Sequence, residues 1–145
     1  TAQQRYQGYC DALQTLRIPV DQAIVAHDVG QIDLAERTVT ALLVRPDAPT
    51  ALFTAQNMVT IGAARALRRL GLERSIAMVG FDDFLLADLL SPGLTVVGQD
   101  PVAIGRTAAT IVFDRIAGDT SPAATHIVPT RLVRRGSGEI PAPID

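Results

Sequence analysis

The sequence contains no lysine, and all thirteen of its basic residues are arginines. A phosphate-binding P-loop places a lysine on the nucleotide phosphates, and Schiff-base catalysis needs a lysine amine. Response-regulator receiver domains share an alternating strand–helix pattern and an acidic cluster, but they also depend on a lysine. The missing lysine therefore argues against all three classes.

Cysteine and net charge are also scarce. Cys10 is the only cysteine, so the chain can form neither an internal disulfide nor a thiolate cluster for a metal. The net charge of −2 provides no basic footprint for nucleic acid. No apolar stretch is as long as a membrane span. We therefore expect no metal, no cofactor and no membrane contact, and we expect any DNA-binding element to lie outside these residues.

Short apolar runs alternate with amphipathic stretches along the 145 residues, which is the size of one ordinary domain. Strand-like runs occupy 23–26, 51–54, 76–81 and about 95–97, and a last extended segment covers 126–134. Helical spacing covers about 5–16, 32–43, 58–70, 85–90 and 101–117. Strands that alternate with helices predict an α/β fold with a doubly wound parallel sheet.

Several local signals refine this prediction. Thr1 and Gln4 match a capping box, and Gly71 is suited to end the third long helix. Pro101 suits a first helical turn. The apolar residues of the helix that follows Pro101 spread around more than one face, so we expect that helix to be buried on two sides. The Gly- and Pro-rich end beyond 134 is predicted to be frayed.

Polar side chains follow each predicted strand, where open α/β sheets bind their ligands. The residues concerned are His27, Asp28 and Val29, then Gln56 and Asn57, then Asp82 and Asp83, then Gln99 and Asp100. Arg5, in the first turn of the first helix, can face the same crevice. Carboxylates and a guanidinium suit a neutral polyhydroxyl ligand, because they accept from and donate to neighbouring hydroxyls. The alternative is that these residues are ordinary caps and turn residues.

Enzyme motifs are missing from the sequence. It has no Gly-x-Ser-x-Gly nucleophile elbow and no Gly-x-Gly-x-x-Gly dinucleotide fingerprint. His27 and His126 lack metal-ligand spacing. Asp82 and Asp83 are adjacent where they leave a strand, so their side chains should point in opposite directions and should not share a metal. We expect a binding module with no catalytic residues.

Five segments, in order along nearly the whole chain, resemble the LacI/GalR family of bacterial transcription regulators. Residues 1–9 resemble the helix start T-A-x-x-R-x-x-G-[YF], and residues 79–83 match V-G-[FY]-D-[DN]. The other three are 49–63, similar to P-T-A-[IL]-F-A-x-N-D-x-x-A-x-G-A, 94–99, similar to L-T-[TS]-[VI]-x-Q, and 129–137, similar to L-P-[TP]-x-L-[VI]-x-R-x-S.

The resemblance implies a periplasmic-binding-protein-like (type I) fold in which an effector is clamped between two α/β subdomains. Carried over by motif, Arg5 and Asp82 would contact effector hydroxyls, and Gln99 would lie at the crossover between the subdomains. Gln56 falls where the family usually has a ligand-contacting Asn. Val29 lies about where some members place a stacking aromatic, but it offers no ring.

The resemblance also implies how the chain is divided. Residues 1–98 would form the C-terminal effector-binding subdomain, 99–122 a crossover and a helix of the N-terminal subdomain, and 123–145 a return strand and tail. Most of the N-terminal subdomain and the helix-turn-helix that binds operator DNA would be absent from this chain. A homodimer is implied, with Ile61, Leu86 and Leu90 at its interface.

Our reading of the sequence is a cytoplasmic regulator that responds to a small polyhydroxyl effector, a sugar or a related compound. The closest alternative is a periplasmic sugar-binding protein of a transporter, which shares the fold. The segment 129–137 favours the regulator. An enzyme of flavodoxin-like architecture is a more distant alternative, because the lysine and the nucleophile elbow are missing.

Overall fold

The fold is known from a computed structural model that describes residues 1–143. Its helices are α1 (Ala2–Thr15), α2 (Ile32–Leu43), α3 (Asn57–Leu70) and α4 (Pro101–Ile116). Its strands are β1 (Ala51–Thr54), β2 (Ala77–Phe81), β3 (Thr95–Gly98) and β4 (Arg131–Val133). Two short 3₁₀ helices cover Gln22–Ile24 and Ser137–Glu139. The predicted α/β fold is confirmed.

The four strands form one sheet in the order β1-β2-β3-β4. The first three are parallel, with Phe53 opposite Val79 in one pair and Gly80 opposite Val96 in the next. The strand β4 runs antiparallel to β3, with Leu132 opposite Val97. The prediction of a parallel sheet is therefore right for three strands and wrong for β4, because the chain beyond α4 returns along the edge of β3 in the opposite direction.

Helices α2 and α3 cover one face of the sheet and hold the core. The core consists of Val39, Leu43, Ala63, Ala66, Leu67, Ile76, Met78, Ala87, Leu94 and Val96. The two helices approach closely at Gly62, where a Cβ would lie 2.5 Å from the Ile32 carbonyl oxygen and 2.6 Å from the Cβ of Ala35. A glycine is therefore needed there. Gly71 ends α3 in a left-handed conformation, as predicted.

Helix α1 touches the other face of the sheet. A Cβ on Gly80 would meet Thr60 of α3, so Gly80 faces α3 and its neighbour Phe81 faces away from it. The guanidinium of Arg5 in α1 lies 3.6 Å from the centre of the Phe81 ring. Helices thus lie on both faces, and the doubly wound arrangement is confirmed. The Thr1–Gln4 capping box of α1 is also present.

Two predicted elements are wrong. Residues 23–26 do not form a strand: a 3₁₀ helix covers Gln22–Ile24, and the extended residues after it have no strand beside them within residues 1–143. Residues 85–90 form consecutive turns instead of a helix. Leu86 is left-handed, with a φ of 74°, which a right-handed helix cannot accommodate.

The extended segment predicted for 126–134 forms a strand over Arg131–Val133. The end that follows was predicted to be frayed, but it is anchored at least as far as Glu139, whose carboxylate accepts a hydrogen bond from the Thr95 hydroxyl at 2.9 Å. Ser137 is buried; its hydroxyl donates to the Met78 carbonyl at 2.7 Å and accepts from the Thr95 amide at 2.8 Å. These bonds attach the closing segment to β2 and β3.

Helices α1 and α4 differ from the other two because neither buries a residue in the described chain. On α4, Val102 is 68% exposed, Phe113 69% and Ile116 76%. The expectation that α4 is buried on two sides is therefore wrong for residues 1–143, since no element among them covers either of its apolar faces.

Candidate ligand-binding site

Arg5 and Asp82 meet at the carboxyl edge of the parallel strands. Arg5 Nη1 lies 4.0 Å from Asp82 Oδ2, and both side chains are largely shielded from solvent. The same nitrogen donates to the Ala55 carbonyl oxygen at 2.5 Å, just beyond β1. Because the guanidinium also lies over the Phe81 ring, three contacts fix its plane and leave its other N–H groups free to donate.

Asp82 leaves β2 in a left-handed conformation, with a φ of 71°. Its backbone N–H donates to the Val97 carbonyl oxygen at 3.0 Å, which extends the β2–β3 pairing by one residue. Aspartate adopts this conformation more readily than most residues with a side chain. The turn directs the carboxylate toward Arg5 and away from the neighbouring Asp83.

Asp83 has a different partner. Its carboxylate accepts two hydrogen bonds from the Arg135 guanidinium, at 2.8 and 2.7 Å. The hydrogen bond from Arg135 lowers the pKa of Asp83 below its usual value, and it raises the pKa of Arg135. The prediction that the two aspartates diverge is confirmed. Within residues 1–143 no cluster of three histidine, cysteine, aspartate or glutamate side chains could hold a metal.

Gln99 belongs to the cluster of Arg5 and Asp82. Its side-chain Nε2 donates to Asp82 Oδ1, and the side chain is otherwise exposed. The next residue, Asp100, is the N-cap of α4 and accepts a hydrogen bond from the Ala103 amide. Gln99 therefore joins the Asp82 carboxylate to the start of α4.

Gln56 and Val29 lie on a second side of the crevice, where both line a cavity of about 710 Å³. Gln56 is the N-cap of α3, but its side chain makes no capping hydrogen bond. Its Oε1 would lie 3.3 Å from a Cβ placed on Gly30. The side chain thus reaches from α3 toward the loop that follows Val29.

The predicted site residues therefore form two groups. Arg5, Asp82 and Gln99 are in one cluster and do not line the cavity, whereas Gln56 and Val29 do. Ala55 connects the groups, because it lines the cavity and its carbonyl binds Arg5.

Two groups near the site were missed by reasoning from the sequence. The Ala55 carbonyl was missed because any residue supplies a backbone oxygen. The other is the packing of two tyrosines beside His27, which was itself a candidate: the Tyr6 and His27 rings are T-shaped with centroids 5.1 Å apart, and the Tyr6 and Tyr9 rings stack at 6.3 Å. Gln22 donates to the Tyr6 hydroxyl at 2.9 Å. The i, i+3 spacing of the two tyrosines could have indicated it.

The predicted dimer residues lie away from the core. Leu86 is 56% exposed and Leu90 is 38% exposed, whereas their neighbour Ala87 is buried. Ile61 is half-buried on α3. The exposed leucines follow from the turns at 85–90, which turn Ala87 inward.

Comparison with known proteins identifies the family. A family model described as a periplasmic binding protein-like domain matches residues 1–138. The chain belongs to this periplasmic-binding-protein-like family. The transcriptional regulator CelR of Thermobifida fusca is 31% identical over 93% of the chain and 40% of its own length. The repressor CytR of Escherichia coli is 30% identical over 92% and 40%.

Solved structures agree with this assignment. A LacI-family regulatory protein of Chloroflexus aggregans superposes with a TM-score of 0.81 at 30% identity, over 92% of this chain and 49% of that one. A LacI-family regulator of Lactobacillus casei with bound sucrose shares the fold, with a TM-score of 0.79 at 22% identity over 93% and 50%.

The resemblance to LacI/GalR regulators is thus confirmed. The curated relatives CelR and CytR are transcriptional regulators and not enzymes. The chain spans 40% of the length of the curated relatives and about half of the solved chains, so it is a partial fold. Within residues 1–143, no helix combines the length and apolar character needed to cross a bilayer.

Proposed function

We propose that this chain is the effector-sensing portion of a LacI/GalR-type transcription regulator. A small neutral polyhydroxyl ligand, a sugar or a related compound, binds at the carboxyl edge of the sheet and changes operator binding. The observation that carries this proposal is the cluster of Arg5, Asp82 and Gln99. It combines a planar donor with a carboxylate acceptor on a fixed backbone.

The chemistry of the cluster favours a neutral ligand. Arg5 and Asp82 bring one positive and one negative charge together, so their fields largely cancel and neither a phosphate nor an ammonium ion is preferred. A carboxylate accepts from two adjacent hydroxyls, and a guanidinium donates to two more. The sucrose-bound regulator of the same fold from Lactobacillus casei is consistent with a ligand of this class.

Val29 and Gln56 adapt the site to its effector. Val29 provides an aliphatic surface where a ring would stack on a sugar, and Gln56 extends an amide toward Gly30. In this proposal both residues contact the ligand together with Arg5, Asp82 and Gln99. No residue acts as a catalyst, and no cofactor takes part.

The division of the chain follows the burial of its helices. Residues 1–98 form the effector-binding subdomain, 99–122 the crossover and a helix of the other subdomain, and 123–145 the return strand and tail. Residues 144 and 145 lie outside the described residues. The exposed apolar faces of α4 support this division, because they need a cover from outside residues 1–143.

The proposed partners lie outside the described chain. Two copies pair through Ile61, Leu86 and Leu90, where exposed leucines surround buried Ala87. Operator DNA binds through a helix-turn-helix elsewhere in a cytoplasmic protein. The regulators among the relatives favour this function over a periplasmic sugar-binding protein. A secretion signal in the full-length gene would reverse that preference.

A thermal-shift screen of the full-length protein tests the function. Sugars, polyols, sugar acids and nucleosides are each added, and a ligand that binds the folded state raises the melting temperature by mass action. We expect a neutral polyhydroxyl compound to raise it and to change operator affinity in a gel-shift assay. The proposal fails if no such compound acts, or if only anionic compounds do.

Arg5→Lys tests the guanidinium in the same assay. Lysine keeps the charge but lacks the planar fork, so effector affinity should fall by about tenfold or more. Arg37→Lys, on the exposed surface of α2, is the matched control and should leave affinity unchanged. Full affinity in Arg5→Lys would mean that Arg5 holds only Ala55 and Phe81 and does not contact the ligand.

A further inference from the structure

The Arg5 guanidinium and the Asp82 carboxylate lie side by side without a hydrogen bond between them. Arg5 Nη1 is 4.0 Å from Asp82 Oδ2, which is too far for a hydrogen bond. An arginine and a carboxylate in contact commonly form two parallel hydrogen bonds, and Arg135 and Asp83 do so at 2.7 and 2.8 Å. Some other contact therefore holds Arg5 and Asp82 apart.

Helix α1 itself does not favour a cation at Arg5. The Arg5 amide donates to the Thr1 carbonyl oxygen at 3.1 Å, which places Arg5 in the first turn of the helix. The helix dipole is positive at this end and disfavours a positive side chain. No acidic residue in the first turn offsets this effect. The position of the guanidinium must therefore be fixed by contacts outside α1.

Two groups at the edge of the sheet supply those contacts. The Arg5 guanidinium carbon lies 3.6 Å from the centre of the Phe81 ring, where a cation is attracted to the ring face. The Ala55 carbonyl oxygen accepts from Nη1 at 2.5 Å. Phe81 is the last residue of β2, and Asp82 follows it directly. Movement of the guanidinium toward Asp82 would cost it its place over the ring.

The two facing atoms each keep a free position for a ligand. Nη1 carries two N–H groups and gives one of them to Ala55. Asp82 accepts from Gln99 through Oδ1, which leaves Oδ2 for another donor. A hydroxyl that accepts from Nη1 and donates to Oδ2, with bonds of about 2.7–2.9 Å, holds these atoms about 4–4.6 Å apart. The observed separation of 4.0 Å fits one hydroxyl oxygen between them.

We propose that Phe81 is a positioning residue, whose ring holds the Arg5 guanidinium apart from Asp82 so that one ligand hydroxyl enters between them. This inference rests on the proposed function, because it concerns the same site. Without the ring, the guanidinium closes on the carboxylate and the two groups satisfy each other. A ligand then has to break that ion pair before it binds, and the preorganisation of the site is lost.

The role assigned to Phe81 requires an aromatic ring and not only apolar volume. Tyrosine presents the same ring face to a cation, whereas leucine presents none. Phe81 is half-buried, so both replacements leave the core in place. Phe53→Leu is the matched control: it makes the same exchange on the neighbouring strand β1, at a side chain that is 43% exposed, and keeps the ring under Arg5.

A double-mutant cycle on the full-length protein without effector tests whether the ring separates the pair. Arg5→Gln and Asp82→Asn, alone and together, are combined with Phe81→Leu, Phe81→Tyr and Phe53→Leu. The coupling is the non-additivity of the melting temperatures. We expect less than about 1 °C in wild type, Phe81→Tyr and Phe53→Leu, and about 2–4 °C in Phe81→Leu, where the pair closes.

Two results of this cycle would overturn the proposal. One is a coupling in Phe81→Leu that is no larger than in wild type, and the other is a wild-type coupling that is already as large as about 2–4 °C. Phe81→Met removes the ring in the same way and replaces Phe81→Leu in the cycle if that variant does not fold. No ligand is needed, so this result does not depend on the proposed function.

Ligand affinity is the second readout. Glucose, sucrose, ribose and xylitol are the probes, and the one that raises the wild-type melting temperature most is titrated by calorimetry. We expect its affinity to fall by about tenfold in Phe81→Leu and by less than about threefold in Phe81→Tyr. Because Phe81 acts through Arg5, Phe81→Leu should cause no further loss in a protein that already carries Arg5→Gln.

Full affinity in Phe81→Leu, or an equal loss with and without Arg5→Gln, would overturn the role of Phe81. If none of the four probes binds to wild type, that result counts against the proposed function, and the cycle without effector decides the role of Phe81.

Discussion

Helices α2 and α3 bury three and five residues respectively, whereas α1 and α4 bury none. The difference is not one of length, because α1 has 14 residues and α4 has 16, against 12 in α2 and 14 in α3. The difference therefore comes from what surrounds each pair. The α2–α3 pair packs on the sheet, but α1 borders the cavity that Tyr6 and Tyr9 line, and α4 has no cover within residues 1–143. This contrast separates what the chain stabilises by itself from what it leaves for other residues.

The largest difference in the free energy of unfolding is expected between truncation of a core side chain and truncation of an exposed side chain on α4. Leu94 is 1% exposed, and Leu94→Ala should cost about 2–5 kcal/mol because it removes buried contacts and leaves a cavity. Phe113 on α4 is 69% exposed, and Phe113→Ala should change the free energy of unfolding by less than about 0.5 kcal/mol. Urea denaturation of the 145-residue chain measures both. Equal losses would mean that α4 is covered in this chain after all.

Two mid-helix glycines should respond in opposite directions to the same substitution. Gly62→Ala places a Cβ against the Ile32 carbonyl and Ala35, and should destabilise the chain by about 1–3 kcal/mol. A Cβ on Gly105 of α4 meets nothing within 4 Å, so Gly105→Ala should stabilise by about 0.5–1 kcal/mol. The urea midpoints of the two variants, compared with that of the wild-type chain, measure both changes. A loss at Gly105 in the 145-residue chain would show an unrecognised neighbour of α4.

The same pair of variants in the full-length protein sharpens the comparison. If a further subdomain packs closely on α4, the gain from Gly105→Ala should shrink or reverse there. Gly62→Ala should cost the same in both proteins. An unchanged gain at Gly105 would place the contact on the other side of α4.

The smallest effect is expected at the Asp83–Arg135 pair, which is partly exposed. The pKa of Asp83 is lowered in the folded chain by the hydrogen bond from Arg135. The stabilisation is therefore present above the unfolded pKa of about 3.9 and is lost as the pH falls through the folded pKa. Asp83→Asn should cost less than about 1 kcal/mol at pH 7, and the difference from wild type should vanish at low pH.

The free energy of unfolding of wild type and of Asp83→Asn, measured as a function of pH, checks this prediction. Asp114→Asn, on exposed α4, serves as the control and should show a change of less than about 0.5 kcal/mol at pH 7. A difference between wild type and Asp83→Asn that grows as the pH falls would contradict the assigned direction of the Asp83 pKa shift.

The sequence predicted the self-sufficient region better than the rest. The spacing of Ala35, Val39 and Leu43 predicted α2 with its observed bounds, because the helix buries those residues within this chain. The prediction of a strand at 23–26 was wrong, because a strand requires a neighbouring strand and no local sequence pattern shows whether that neighbour is present. The helix at 85–90 failed, because the apolar pattern did not show that Leu86 is left-handed.

The side chains of the site could be predicted from the sequence, but the backbone groups that position them could not. Arg5 and Asp82 were expected together, and they lie 4.0 Å apart. The Ala55 carbonyl that fixes Arg5 carries no side-chain signal. The direct bond from Gln99 to Asp82 requires the left-handed turn at Asp82, which any residue type could in principle occupy at some cost.

Effector affinity of the full-length protein, measured by titration calorimetry in Asp82→Asn and Asp83→Asn, tests the central claim most directly. Asparagine keeps the shape and tolerates the left-handed backbone at 82. We expect a loss of about tenfold or more for Asp82→Asn, because ligand hydroxyls lose a charged acceptor, and no loss for Asp83→Asn, because the Asp83 carboxylate binds Arg135. Equal affinities in the two variants, or a greater loss at Asp83, would contradict a ligand site built on Arg5 and Asp82.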